Sequence, residues 1–299
     1  MQKSIHIMVL RHAAFYSPLL ATLGADFLKA EGFDYSYTIA TPDNSVEQGI
    51  RDGSVQVAQS APATSFSPLA TGTTPAFIHF AQINDRDGFF LLGRDATKAF
   101  QWSDLTGQDV LVDHFFQPLA MFRYALHIKG IEASSINIID AGDVSAIEQA
   151  YRQGRGAYAH MQGPAPQQLE KEGLGRIVAS VGEVIGPVAF SSLCAAPDWL
   201  KTDAALAFMR AYRKGQQFVV EESPATIAAA VADFFPNIDR DVLQATIAAY
   251  QQLCCWQREA RISHASYDRL LDVFDYSGQL TRRFAYDEVI ALPPDEVNG

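Results

Sequence analysis

An α/β fold in two lobes, each a mainly parallel sheet flanked by helices, is predicted by three features of the sequence. The first hundred residues alternate strand-like and helix-like segments, the alternation restarts after Gly93, and the chain beyond Asp198 is nearly all helical in period. Strands separated by helices imply crossover connections, hence parallel pairing with both sheet faces covered. A length of 299 residues accommodates two domains of ordinary size.

The elements follow in order. Residues 5–10 are mostly apolar without helical period, which suits a buried parallel strand. Residues 15–30 carry Leu19, Leu20, Leu23, Phe27 and Leu28 at helical spacing, and Gly32 is placed to stop that helix. A strand over 33–39, a helix over 46–51 closed by Asp52-Gly53, a strand over 55–58, a helix over 61–70 and a strand over 77–80 complete the first set. The second set has strands over 89–92, 110–112, 136–139, 157–160 and 177–181, with helices over 117–129, 145–152 and 166–172. Its glycines at 130, 154 and 173 stand where helices should stop. The last third reads as helices over 199–221, 225–232, 239–254 and 266–275, with Asp198, Ser223-Pro224 and Asp239 placed as starters.

Composition narrows the function. Apolar residues make up 48% and charged residues 19%, a globular balance. A formal net charge of -11 excludes a basic, phosphate-binding surface, so no nucleic-acid partner is expected, and it favours a monomer. Cys194, Cys254 and Cys255 give neither a disulfide framework nor a paired metal motif and read as small apolar residues on a buried helix face. No apolar run approaches the roughly 18 residues of a membrane span. Met1-Gln2-Lys3-Ser4 passes directly into an apolar strand, without the apolar segment and cleavage site of an export signal. A periplasmic or cell-envelope protein is therefore expected only if such a signal has been removed, and a cytoplasmic one otherwise.

Several phrases occur in a telling order: Phe27-Leu28-Lys29-Ala30-Glu31-Gly32-Phe33 after the first helix, Ile50-Arg51-Asp52-Gly53-Ser54-Val55-Gln56-Val57-Ala58 at the third strand, Asp104-Leu105-Thr106-Gly107-Gln108-Asp109-Val110 opening the second set, and Gly278-Gln279-Leu280 with Tyr286 and Val289 near the end. Together they resemble the nitrate/sulfonate/taurine/thiamine-precursor branch of the substrate-binding proteins of ABC transporters, over nearly the whole chain. That resemblance implies a periplasmic-binding-protein-like type II fold. The chain would cross between lobes near Gly93 and near residues 190–195, giving a first lobe of 1–92 with 195–299 and a second of 93–194. It also implies a solute-binding protein without cofactor, holding a small organic ligand, anionic or heteroaromatic, for the membrane permease of an ABC importer.

The alternative is a cytoplasmic enzyme on the same fold, of thiamine-pyrimidine synthase-like, desulfinase-like or decarboxylase-like type. The synthase attaches pyridoxal phosphate to a lysine after the third strand and consumes a nearby histidine; Ser60 and Thr64 stand at those positions here. Its cysteine-rich run is replaced by Gly186-Pro187-Val188-Ala189-Phe190-Ser191-Ser192. No internal aldimine can form without the lysine amine. No Gly-x-Ser-x-Gly or comparable nucleophile arrangement is present either.

Ligands of open α/β sheets sit beyond the carboxyl ends of the strands. Reading each strand to its end nominates Arg11, His12, Phe15 and Tyr16, then Gln59, Ser60 and Thr64, then Gln82 and Asn84. The second set adds Asp113, His114, Phe115 and Gln117, then His160 and Gln162, and finally Glu183. Arg11 suits a carboxylate, sulfonate or phosphate, and helix starts near Ser60-Ala61-Pro62 and Phe116-Gln117 offer further positive potential. The aromatic rings, including Phe116, offer stacking surface. His12, His114 and His160 fall at strand ends without a metal-ligand spacing, so hydrogen bonding is their expected role and no metal is expected.

Overall fold

The computed structural model describes residues 3–95, 97 and 99–297. The chain first forms β1 (Lys3–Val9), α1 (Ser17–Gly24), α2 (Phe27–Ala30), β2 (Phe33–Ile39), α3 (Val46–Arg51), β3 (Val57–Ser60), α4 (Phe66–Ala70) and β4 (Ile78–Asn84). It continues through β5 (Phe89–Gly93), β6 (Asp109–Val112), α5 (Phe116–Ile128), β7 (Asn137–Ile139), α6 (Val144–Arg152), β8 (Tyr158–Gln162), α7 (Ala165–Lys171), β9 (Arg176–Ser180) and α8 (Val181–Ile185). After β10 (Ser191–Ala195) come α9 (Asp203–Glu221), α10 (Pro224–Val231), α11 (Arg240–Gln252), α12 (His264–Tyr276) and α13 (Tyr286–Val289).

The strands form two five-stranded sheets with the same plan, in the orders β2-β1-β3-β10-β4 and β7-β6-β8-β5-β9. In the first, β1 runs parallel to β2 and β3, while β10 is antiparallel to β3 and β4. In the second, β6 runs parallel to β7 and β8, while β5 is antiparallel to β8 and β9. Each sheet is therefore mixed, and its one reversed strand is the strand that the chain enters on arriving from the other sheet. The sheets do not divide the chain at Gly93 and Ala195: β5, at the end of the expected first lobe, pairs wholly within the second sheet, and β10 pairs within the first.

The two crossings, residues 85–88 and 186–190, lie against each other. The Val188 N–H donates to the Asp85 carbonyl at 3.1 Å. A Cβ at Gly182 would lie 2.1 Å from the Asp87 carbonyl oxygen, and one at Gly88 would lie 2.4 Å from the Phe15 ring. Gly182 is required because the Asp87 backbone passes too closely for any side chain, and Gly88 because the Phe15 ring packs on it.

Helix periodicity locates the helices to within a turn, with informative departures. The segment 15–30 is not one helix: a short turn at Ala14–Tyr16 leads into α1, and Asp26, at φ 59°, breaks the chain before α2. Ser223 caps α10 by accepting from Thr226 N, as its position implies. Asp198 opens only a short turn, and Thr202 caps α9 instead. Asp239 caps nothing through its side chain and pairs with Lys171 at 2.8 Å. The cysteines do not share a helix face: Cys194 is buried in β10, Cys255 is buried past the end of α11, and Cys254 is exposed.

The main core joins β1 (Ile5, Ile7, Val9), α1 (Leu19, Leu20, Leu23) and α9 (Phe208, Met209, Tyr212), all essentially inaccessible. The second sheet has its own cluster in Leu92, Leu111, Ile147, Tyr151, Met161 and Leu169. The C-terminal helices pack chiefly on the first sheet's layer but also reach the second. Lys171 of α7 pairs with Asp239 and Asp241 at 2.8 and 2.9 Å. The Tyr250 hydroxyl on α11 accepts the Gly163 N–H at 2.8 Å. Tyr250→Phe strands that buried N–H, and urea unfolding is expected to show a loss of roughly 1–3 kcal/mol. Among the described residues no helix is long and apolar enough to cross a membrane.

Candidate ligand-binding cleft

The carboxyl ends of β1 and β2 face the start of α6, which follows β7, and the carboxyl end of β8 across a cleft of about 790 Å³. Leu10, Arg11, His12, Ile39 and Ala40 line one wall; Gln162, Gly163, Pro164 and the start of α6, from Asp143 to Glu148, line the other. Deeper, a cavity of about 30 Å³ is bounded by Tyr16, Gln59, Phe89, Phe115, Gln117 and Phe190. The outer volume suits a small organic molecule; the inner one is about the size of a single water.

Arg11 and Asp113 close the space between the sheets. β1 and β6 occupy equivalent places in the two sheet orders, so the residues just beyond them meet. The Arg11 guanidinium donates to both Asp113 oxygens, at 2.7 and 3.3 Å. The carboxylate is only 3% exposed and the guanidinium side chain 21%. Asp113 Oδ1 also accepts the Phe115 N–H at 2.8 Å, and the Phe115 ring lies under the guanidinium, 4.6 Å from its centroid. Gln59 accepts the Arg11 N–H at 3.2 Å, which fixes the turn after β1. An arginine held by a carboxylate, a ring and a positioned backbone is stiff, and its charge is neutralised.

The histidines do not converge. His12 uses both ring nitrogens, with the Tyr37 hydroxyl at 2.8 Å and the Phe234 carbonyl at 2.9 Å, and stacks on Phe235. Burial lowers its pKa, opposed by the Phe234 bond. His114 bonds the Val112 carbonyl at 2.8 Å. His160 is sealed between Phe89 and Phe122, and neither ring nitrogen has a partner. Burial pushes its imidazole down to about 3, with Asp113 raising and Arg11 lowering it, so it is neutral at pH 7. Among the described residues no group of three or more His, Cys, Asp or Glu side chains is arranged to hold a metal.

The other nominated residues divide by what they touch. Tyr16 and Gln117 line the inner cavity. Gln117 donates to the Phe190 carbonyl at 2.8 Å and leaves Oε1 unpaired, while Gln162, a lining residue of the outer cleft, lies against the Tyr16 hydroxyl. Ser60 and Thr64 bond each other through their hydroxyls at 3.1 Å. Gln82 and Asn84 belong to the frame: Gln82 donates to the Glu259 carbonyl at 2.9 Å, and Asn84 to the Phe15 carbonyl at 2.7 Å. Phe15 is wholly buried, whereas Phe115 and Phe116 are exposed at the rim. Glu183 is exposed on α8 and lines neither cavity.

Asp87 was not legible as special. It sits in the first crossing with no exposed surface, its Oδ1 accepts the Phe89 N–H at 2.7 Å, and its Oδ2 has no partner. Burial pushes its carboxyl up to about 8; the Phe89 bond opposes this and Asp113 adds to it. In the sequence it is one of several charges in Asp85-Arg86-Asp87-Gly88, and nothing marks it as the buried one.

The profile of the family described as NMT1/THI5 like matches residues 15–226, well over half of the chain. The chain belongs to the NMT1/THI5-like family. A relative in Bacillus subtilis (strain 168), YtlA, provisionally named as a binding protein, is 28% identical over 290 residues, covering 96% of this chain and 87% of that one. Among solved structures, the ligand-binding component of an ABC-type import system from Staphylococcus aureus, with zinc bound, superposes with a TM-score of 0.77 at 15% identity, over 100% of this chain and 99% of that one. The periplasmic aliphatic sulphonate binding protein SsuA from Escherichia coli gives a TM-score of 0.75 at 12% identity, over 98% and 93% of the two chains. At these identities the likeness is one of fold: this NMT1/THI5-like chain has the two-lobed periplasmic-binding-protein-like architecture.

Proposed function

We propose that this NMT1/THI5-like protein is the solute-binding component of an ABC-type importer and captures a small organic molecule between its lobes. The observation that carries this reading is the cleft of about 790 Å³ between the strand ends of two similarly ordered sheets. The lobes follow the sheets, hinge at the paired crossings 85–88 and 186–190, and close by bending there. Arg11, Tyr16, Gln59, Gln117 and Gln162 face the ligand; Phe15, Gln82 and Asn84 hold the frame. The protein acts as a monomer outside the cytoplasmic membrane and delivers its ligand to a membrane permease. Capture without chemistry is supported by the site's contents, since both ring nitrogens of His12 are bonded, His160 is sealed and neutral, and Ser60 is bonded to Thr64.

Incubating the purified protein with a metabolite extract, then denaturing it and identifying what was bound by mass spectrometry, tests the reading. A molecule recovered unchanged, which rebinds in calorimetric titration, is the expected result. Recovery of an altered product would instead place an enzyme on this fold.

A further inference from the structure

We propose that Asp113 is a specificity residue, a built-in anion that reserves Arg11 and restricts the cleft to uncharged or cationic ligands. The inference rests on the solute-binding reading and names the ligand class that the cleft accepts.

Arg11 is the only cationic side chain lining the outer cleft or the inner cavity among the described residues. Its guanidinium is held at both nitrogens by Asp113, which is nearly inaccessible. The same carboxylate accepts the Phe115 N–H at the start of α5, so one side chain occupies both sources of positive potential that an anionic ligand would seek there. The other long helix opening on the cleft, α6, is treated alike: Asp143, itself a lining residue, accepts the Ala146 N–H at 2.9 Å. The remaining charged lining residue is Glu148, another carboxylate, paired with Arg152 at 2.7 Å. An entering anion would meet a guanidinium neutralised by Asp113, the Asp143 carboxylate and the Glu148–Arg152 pair, and would lose hydration without an unpaired cation in exchange.

The unpaired polar groups of the site are neutral. Gln162 and Gln168 line the outer cleft, and Gln117, with Oε1 unpaired, lines the inner cavity. An uncharged ligand can hydrogen-bond the cleft's amides without displacing the ion pair. Selection against anions by an opposing internal charge is specificity by exclusion as well as by attraction.

Calorimetric titration and thermal-shift assays with inorganic sulfate and methanesulfonate, on wild type, Asp113→Asn, Asp113→Ser and Asp113→Asn combined with Arg11→Met, test the proposal. Asn or Ser cannot neutralise the guanidinium, so either single variant that folds is expected to bind both anions at least tenfold more tightly than wild type. The double variant is expected to lose that gain. A wild type that binds these anions through Arg11 as tightly as the single variants would overturn the proposal, as would a folded single variant that gains nothing. If neither single variant folds, wild type against Arg11→Met decides: Arg11-dependent anion binding by wild type overturns the proposal, and its absence supports it. These arms use known anions, so failure of the solute-binding reading appears separately, as an altered product in the recovery experiment.

Discussion

Asp87→Asn is expected to stabilise the protein on the order of 5 kcal/mol at pH 8.5 and hardly at all at pH 4. The carboxyl's ordinary pKa of 3.8 rises to about 8 in the fold, because burial removes water and the unpaired oxygen gains no donor in exchange. Well below pH 3.8 the group is protonated in both folded and unfolded chains and contributes nothing. As pH rises from about 4 to 8 the unfolded chain releases this proton while the folded chain retains it, so stability falls through that window and is level above it. Tyr16, Tyr250, Cys255 and Asp113 surround the group and supply no compensating positive charge. Asparagine keeps an oxygen for the Phe89 N–H and has no charge to bury. His79 and His160, both held neutral with pKa values near 3, act in the opposite sense, since their unfolded forms take up protons below about 6.5. Comparing variant with wild type cancels that contribution. Urea titrations across pH 4 to 9 check the result; a parallel pair of stability curves would mean that Asp87 is hydrated or paired.

Arg11→Ala is expected to cost about 3 kcal/mol in unfolding free energy, the scale for stranding a buried partner charge. Asp113 would keep only the Phe115 N–H among its donors. Removing both charges together, Arg11→Met with Asp113→Leu, is expected to recover most of the loss, because paired apolar replacements avoid desolvating an ion. A double-mutant cycle by urea unfolding measures the coupling. If Arg11→Ala were as stable as wild type, the bridge between the sheets would be an idle surface pair.

The sequence carried the architecture further than the details of the site. Alternation of strands and helices, with stops at Gly32, Gly130 and Gly173, locates both βα sets and the helical last third, because burial of both sheet faces leaves apolar runs that are hard to mistake. The reversed strands were harder. β10, Ser191-Ser192-Leu193-Cys194-Ala195, is fully buried yet polar at its start, so it reads as a crossing rather than as a strand. The same physics shifts strand ends: β3 runs to Ser60 and β4 to Asn84 because Gln59, Ser60, Gln82 and Asn84 are strand residues with satisfied side chains. A reading that follows apolar content stops before them and takes them for loop. Reading strands to their carboxyl ends nonetheless brings Arg11, Gln59, Asp113, Gln117 and Gln162 to the same region. That Arg11 meets Asp113 is invisible locally, since the partners lie 102 residues apart and are joined only by the equivalence of β1 and β6.

Small-angle scattering of the protein, alone and saturated with the molecule recovered from it, tests most directly whether the cleft between the sheets is a closing ligand site. The radius of gyration is expected to fall on saturation, to a profile matching the bridged arrangement in which Arg11 meets Asp113 and Lys171 meets Asp239 and Asp241. Tight binding with an unchanged profile, in a free protein already open, would contradict capture by closure between the lobes.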